Sequence, residues 1–195
     1  MSFAATVKTQ ISVLGMLIDS SRSVSASGNA SQRVDLPAGQ EGTIADGTVT
    51  LSEGHGIETA DVVDVYWGTD SLRTDCTVGT VDGNDVPLTG GSGDALPTSG
   101  TVIVAPQVAI DLDFVGNLVE LLAMTCASRC RLDLRDSISA SLLDKNLPAG
   151  GAYVWDSGSA DANPLADVTV AEAVASNGAT TAAELIVAIL YDSDA

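Results

Sequence analysis

From position 6 onward the chain sets short β-branched, apolar runs against small polar stretches, and the longest apolar segments, around Leu118–Ala127 and Ala182–Tyr191, reach only about ten residues. Thr6–Ile18 is rich in β-branched residues and predicts one or two strands. Residues 19–33 are small and polar, dominated by Ser, and predict a loop or linker. Between Val34 and Ala105, Gly and Asp interrupt the apolar runs every eight to twelve residues, the spacing of a small β-barrel or sandwich. Val63, Val65 and Trp67 fall on one face of a strand. Cys76–Val81 faces Asn84–Leu88 across Asp82-Gly83, a dipeptide suited to a tight turn, so a hairpin is expected there. Thr101–Ala105 is the last strand of this module, and Pro106 closes it.

The final third opens with the period-two run Val108–Phe114 and continues through Arg131–Asp136, Ala152–Trp155, Val168–Val170 and Leu185–Leu190, all of strand character. Leu118, Leu121 and Leu122 also fit one face of a helix, which leaves residues 117–127 between a strand and one short helix. The unbroken apolar run 185–190 suggests a strand covered on both faces, in the middle of a sandwich. The expected fold is all-β: a strand and polar linker over 1–33, a small barrel-like module over 34–106, and a jelly-roll-like β-sandwich over 107–195. The N-terminal strand is expected to pack with the sandwich.

Charge narrows the function. Against 26 Asp and Glu stand 8 Lys and Arg, a formal −18. Residues 74–128 and 146–195 carry no positive charge at all. Such a chain repels phosphate backbones, whose binding rests on Lys and Arg, so a direct nucleic-acid role is disfavoured. Self-association should strengthen with salt and with divalent cations that bridge carboxylates. The excess of Asp over Glu suits either a salty environment or a loop-rich fold in which Asp forms the turns. The start of the chain has no basic region followed by an apolar core, so a signal peptide is not expected. No apolar run has the length of a membrane-spanning helix.

No constellation names a chemistry. Cys76, Cys126 and Cys130 are too few, and too poorly supplied with His, for a zinc site; on one strand Cys126 and Cys130 would lie roughly 13 Å apart, beyond disulfide reach. Val154-Trp155-Asp156-Ser157-Gly158 resembles the aspartic-protease signature, in which two carboxylates of a dimer share a proton. The same residues also suit an ordinary Asp-Gly turn. Asp82, Asn84 and Asp85, or Asp156, Asp161 and Asn163, could offer oxygen ligands to calcium, without the spacing of an EF-hand. His55, between two glycines, lacks a Ser or Cys partner and is expected in a loop. Tyr66, Trp67, Tyr153 and Trp155 suit core or interface packing better than a sugar platform. No catalytic, metal or cofactor-binding residue is therefore assigned, and no cofactor is expected.

Arg129, Arg131 and Arg135 are the residues singled out for an interface. They are three of the eight cations, and their spacing puts them on one face of a strand together with Asp133. Such a row is expected to pair with carboxylates of the same chain or of a neighbour, and its truncation to lower assembly more than folding.

The Ala/Gly/Thr/Ser/Asp composition, the successive short strands, the Val34–Ala105 module, and the run Asn163-Pro164-Leu165, Ser176-Asn177-Gly178 and Ala182–Ser193 together resemble bacteriophage virion structural proteins. These include jelly-roll capsid, capsid-decoration and tail types. The resemblance implies a non-enzymatic protein that self-assembles with itself and other virion proteins, located in the virion, without a cofactor. The competing readings are a secreted or cell-surface β module binding glycan or calcium and, third, an aspartic-protease-like hydrolase.

Overall fold

The computed structural model describes residues 3–13, 16–26, 28–112, 114–115, 119–136, 138–165, 169–170 and 172–192, and these form eighteen strands and no helix. The all-β expectation holds, with a closed barrel followed by a sandwich.

The first two strands, β1 (Phe3–Val13) and β2 (Met16–Ala26), pair antiparallel as a ribbon of eleven residue pairs. β3 (Gly28–Leu36) then pairs along its whole length with the late strand β18 (Ala183–Tyr191). Residues 19–33 are thus mostly strand rather than linker. Polar sequence is tolerated in β3 because it is an edge strand: Val34 and Leu36 enter the core while Arg33 and Asp35 stay exposed.

The barrel closes in the order β4 (Gln40–Ala45), β5 (Thr48–Thr50), β8 (Asp85–Gly93), β7 (Ser71–Val78), β6 (Val62–Trp67), β9 (Ser99–Pro106) and back to β4. Its interior is filled by Ile44, Val49, Val63, Val65, Cys76, Val86, Val102 and Val104, and Trp67 packs against them. Alternation does this work, since every second residue of a strand points inward. The expected hairpin at Asp82-Gly83 is present: Val78 pairs with Leu88, and Gly83 takes a φ of +60° in the turn.

The sandwich has two four-stranded sheets. One runs β10 (Val108–Ile110), β17 (Glu172–Asn177), β13 (Cys130–Arg135), β14 (Ser141–Leu147); the other runs β15 (Ala152–Asp156), β12 (Val119–Cys126), β18, β3. A short pair, β11 (Phe114–Val115) with β16 (Thr169–Val170), flanks them. Leu122, Met124, Leu185, Val187 and Ile189 from one sheet meet Leu132, Leu134, Leu143, Ala173 and Ala175 from the other. β18 lies between β12 and β3, but the expected cover on both faces is one-sided: Leu185, Val187 and Ile189 are buried while Ile186 and Ala188 are half-buried. The pairs are nested: β3 with β18, β10 with β17, β12 with β15, and β13 with β14.

The helical alternative at 117–127 falls to β12. A register shift between Val119 and Leu121 lets Leu121 and Leu122 both become buried, which breaks the strict alternation and imitates helical spacing. Residues 117–118 lie outside the described residues.

The barrel is an insertion between β3 and β10. Three residues lead in from Leu36 to Gln40, and Gln107 alone leads out from Pro106 to Val108. Both crossings are short, which holds the outer faces of β6 and β7 against the outer face of β13.

Candidate functional site: the charge network between barrel and sandwich

On β13, Cys130, Leu132 and Leu134 point into the sandwich, so Arg131, Asp133 and Arg135 point out of it towards the barrel. On β6, Val63 and Val65 fill the barrel, so Asp64 and Tyr66 point out towards the sandwich. Two strand faces that would each suit water are therefore pressed together, and their polar groups must satisfy one another.

A bulge assists. Asp64 sits at a register shift in the β6–β7 pairing, and opposite it Asp75 adopts a φ of +56°, a left-handed conformation that Asp tolerates better than most residues. The Asp75 amide donates to Asp64 Oδ1 at 2.9 Å, and the Asp75 carboxylate is turned into the interface.

Arg131 is the hub, 2% exposed. Its Nη1 donates to both oxygens of Asp64 at 3.1 and 3.2 Å. Nε and Nη2 grip Asp144 of β14 as a fork at 2.9 Å each. Nη2 also reaches Asp133 at 2.9 Å and Asp75 at 3.2 Å. Arg135 adds Nε to Asp133 at 2.7 Å and Nη2 to Asp75 at 2.6 Å.

Neutral donors complete the shell. Gln107, the single residue between the modules, donates Nε2 to Asp64 and Asp75 at 2.8 and 2.9 Å. Ser141 donates to Asp133 at 2.6 Å, and Ser176 Oγ to Asp64 at 2.5 Å. Because the Ser176 hydroxyl proton goes to Asp64, the Tyr66 hydroxyl donates to Ser176 Oγ at 2.6 Å. Burial first, then the Asp64 charge, pushes the Tyr66 phenol well above its ordinary range, so it stays a donor.

Arg129 lies just before β13 and works separately. Its guanidinium rests 4.9 Å from the Tyr66 ring centroid and donates Nη2 to the Ser71 carbonyl at 2.8 Å. All three expected arginines therefore bridge the two modules.

Ser176-Asn177-Gly178 forms the other half of the joint. Asn177 donates Nδ2 to the carbonyls of Pro37 and Thr181 and accepts from Ser128 Oγ, which ties the entry linker to the β17–β18 turn. Gly178 lies flat on Tyr66: a Cβ there would stand 2.6 Å from Cδ1 of the ring. Sequence reasoning singled out this tripeptide only as part of a resemblance. Asp64, Asp75 and Gln107 it missed, because a lone Asp in the apolar run Val62–Trp67 was the only signal.

Four carboxylates surround two guanidiniums, so the cluster retains excess negative charge. Burial alone would raise the carboxyl of Asp75, but the Gln107 hydrogen bond and the charges of Arg131 and Arg135 outweigh it and hold the value at about 2, against an ordinary 3.8. A depressed carboxyl stabilises the fold fully above its unfolded value and loses that contribution as pH falls through the folded one. The expected result is that the thermal midpoint drops between about pH 4 and 2, and that Asp75→Asn, which keeps the left-handed backbone accessible, makes that drop shallower. Calorimetry at constant ionic strength checks it. An unchanged slope in Asp75→Asn would remove Asp75 from the network's energetics.

The remaining candidates serve local structure. Asp156 Oδ1 accepts from the Gly158 amide at 3.0 Å, building the turn at Asp-Ser-Gly. Asp85 accepts from Thr50, and Asn163 accepts from the Leu165 amide. His55 Nδ1 accepts from the Ile57 amide while Nε2 reaches the Gly83 carbonyl, which places its proton on Nε2. Among the described residues no group of three or more His, Cys, Asp or Glu is arranged to hold a metal ion. The four aromatics do not converge: Tyr66 lies in the joint, Trp67 under the barrel, Trp155 in the sandwich core, and Tyr153 4.6 Å from the Lys145 ammonium.

Cys126 and Cys130 are closer than one strand would allow. The chain crosses from one sheet to the other between them, and the Cys130 thiol hydrogen-bonds the Cys126 sulfur, lowering the pKa of Cys126 and raising that of Cys130. Both remain free and buried, as does Cys76.

Comparison with protein-family models, curated proteins and solved structures gives no match to this chain.

Proposed function

We propose that the chain is a non-enzymatic virion structural protein, a shell subunit built on a jelly roll that carries an inserted barrel. One observation carries the reading: the nested strand pairs of the sandwich. Taken in chain order, the first of the eight sandwich strands pairs with the eighth, the second with the seventh, the third with the sixth and the fourth with the fifth. Pairs alternate between the two sheets. A long hairpin rolled up in this manner is the double Greek key of jelly rolls, an architecture of viral capsid, lectin and cupin domains.

Fold alone does not choose among these. The capsid reading is favoured by how the polar groups are used. The principal cluster of charges is consumed in fixing two modules of one chain to each other, which suits a rigid building block, and the Asp-rich loops are engaged in turns. Small side chains and only two lysines, Lys8 and Lys145, lower the entropy lost when a wide surface is buried against a neighbour.

At −18 per chain, association is opposed by self-repulsion. The expected behaviour is monomer in dilute buffer and a large, discrete assembly as sodium chloride is raised or millimolar calcium or magnesium is added. Sedimentation velocity across that series checks it, and a monomer under every condition counts against the shell role.

A further inference from the structure

The β1–β2 ribbon shares no described strand pairing with either module and forms its own two-stranded sheet. β1 has β2 as its principal neighbour, and β2 adds only a limited approach to β12 and β18. Eleven residue pairs make a ladder about 35 Å long at roughly 3.3 Å per residue. A two-stranded ribbon of this kind is marginally stable in water by itself. It needs a surface.

Sequence and register indicate which surface. Ile11 lies opposite Ile18, Ser12 opposite Leu17, and Val13 opposite Met16, so apolar residues gather at one end of the ladder. Lys8 and Arg22, on adjacent rungs, occupy its polar middle with Asp19 as the sole acid. The ribbon, residues 3–26, carries Lys8 and Arg22 against Asp19, a formal +1, in a chain whose remaining residues carry −19. A net-positive segment of an acidic chain is thus also one that the described barrel and sandwich sheets leave unpaired.

We infer that the ribbon is an assembly arm that docks on the acidic exterior of a second copy of this chain. This rests on the shell reading and specifies its contact. Charge complementarity names the occupant: the net-positive arm meets the acidic exterior of another copy of formal −18. Nucleic acid fits less well, since one net positive charge neutralises few phosphates while the adjoining modules repel the duplex.

The test uses the full chain. Lys8→Glu with Arg22→Glu inverts the arm's charge, and Leu17→Asp separately places a charge at its apolar end. Each is expected to raise the protein concentration for half-maximal assembly by about tenfold or more at fixed salt. The monomer's thermal midpoint should stay within a degree or two of wild type, because neither strand belongs to the barrel or sandwich sheets. In an assembled mixture of isotope-labelled and unlabelled chains, carbodiimide should join Lys8 to carboxylates of the other isotope. Wild-type assembly with both variants assembling equally well, or Lys8 cross-links confined to one chain, overturns the arm and leaves the shell reading standing. A wild type that stays monomeric throughout overturns both. Loss of DNA binding in the variants with unaltered self-association reassigns the arm to nucleic acid and overturns the inference.

Discussion

Arg131→Met is expected to lower unfolding stability by about 3–5 kcal/mol, the largest effect of any single substitution of a polar residue in the chain. The reason is what it leaves behind. Asp64 and Asp133 are each 1% exposed and lose their guanidinium, so the variant holds two buried charges without that partner, while water reaches only the outer carboxylates Asp75 and Asp144. Methionine matches much of the lost volume, so the loss is electrostatic more than a cavity effect. Lysine does not substitute, because a point charge cannot fork onto Asp144 while reaching Asp64 and Asp75. Adding Asp64→Asn to Arg131→Met should recover part of the loss by removing one stranded charge. Chemical denaturation in conditions where the chain is monomeric measures all three. A loss under about 1 kcal/mol for Arg131→Met would mean that water reaches the cluster. Because the partners of Arg131 and Arg135 lie across an internal joint, truncating either is expected to lower folding stability, and sedimentation of the same variants reads their effect on assembly.

Gly178→Ala is expected to cost about 1–3 kcal/mol, and Gly178→Val more. The added methyl meets Cδ1, Cγ and Cε1 of Tyr66 at 2.6, 2.8 and 2.9 Å. The ring cannot swing away, because Arg129 stacks on it and its hydroxyl is held by Ser176. Backbone strain plays no part; close approach alone requires glycine. In a Tyr66→Leu background the same Gly178→Ala change should cost little, and near-ultraviolet dichroism should report the loosened Tyr66 in the single variant. Additive effects in the double variant would contradict the contact.

These residues explain what could be read from the chain and what could not. Alternation in Val62–Trp67 and the turn at Asp82-Gly83 announced the barrel, because local periodicity and turn chemistry decide both. The Ser-rich stretch 19–33 misled: polarity says that a residue faces water, and an edge strand with one wet face satisfies that as well as a loop does. The double leucine of β12 misled for another reason, a bulge that no spacing rule records. Arg129, Arg131 and Arg135 were legible as a cluster of cations since their spacing is local. Their partners were not, as Asp64 and Asp75 lie about sixty residues earlier and arrive only through the insertion of the barrel. The same distance hid the approach of Cys126 to Cys130, where the decisive event was a crossing between sheets.

The shell reading is tested most directly by electron microscopy of whatever sediments fastest in the salt and divalent-cation series. The account predicts closed particles of uniform diameter, or ordered sheets of the same lattice, with the barrel modules repeated on one surface. Monomers alone, or amorphous aggregate without a repeating unit at any ionic strength, would contradict it.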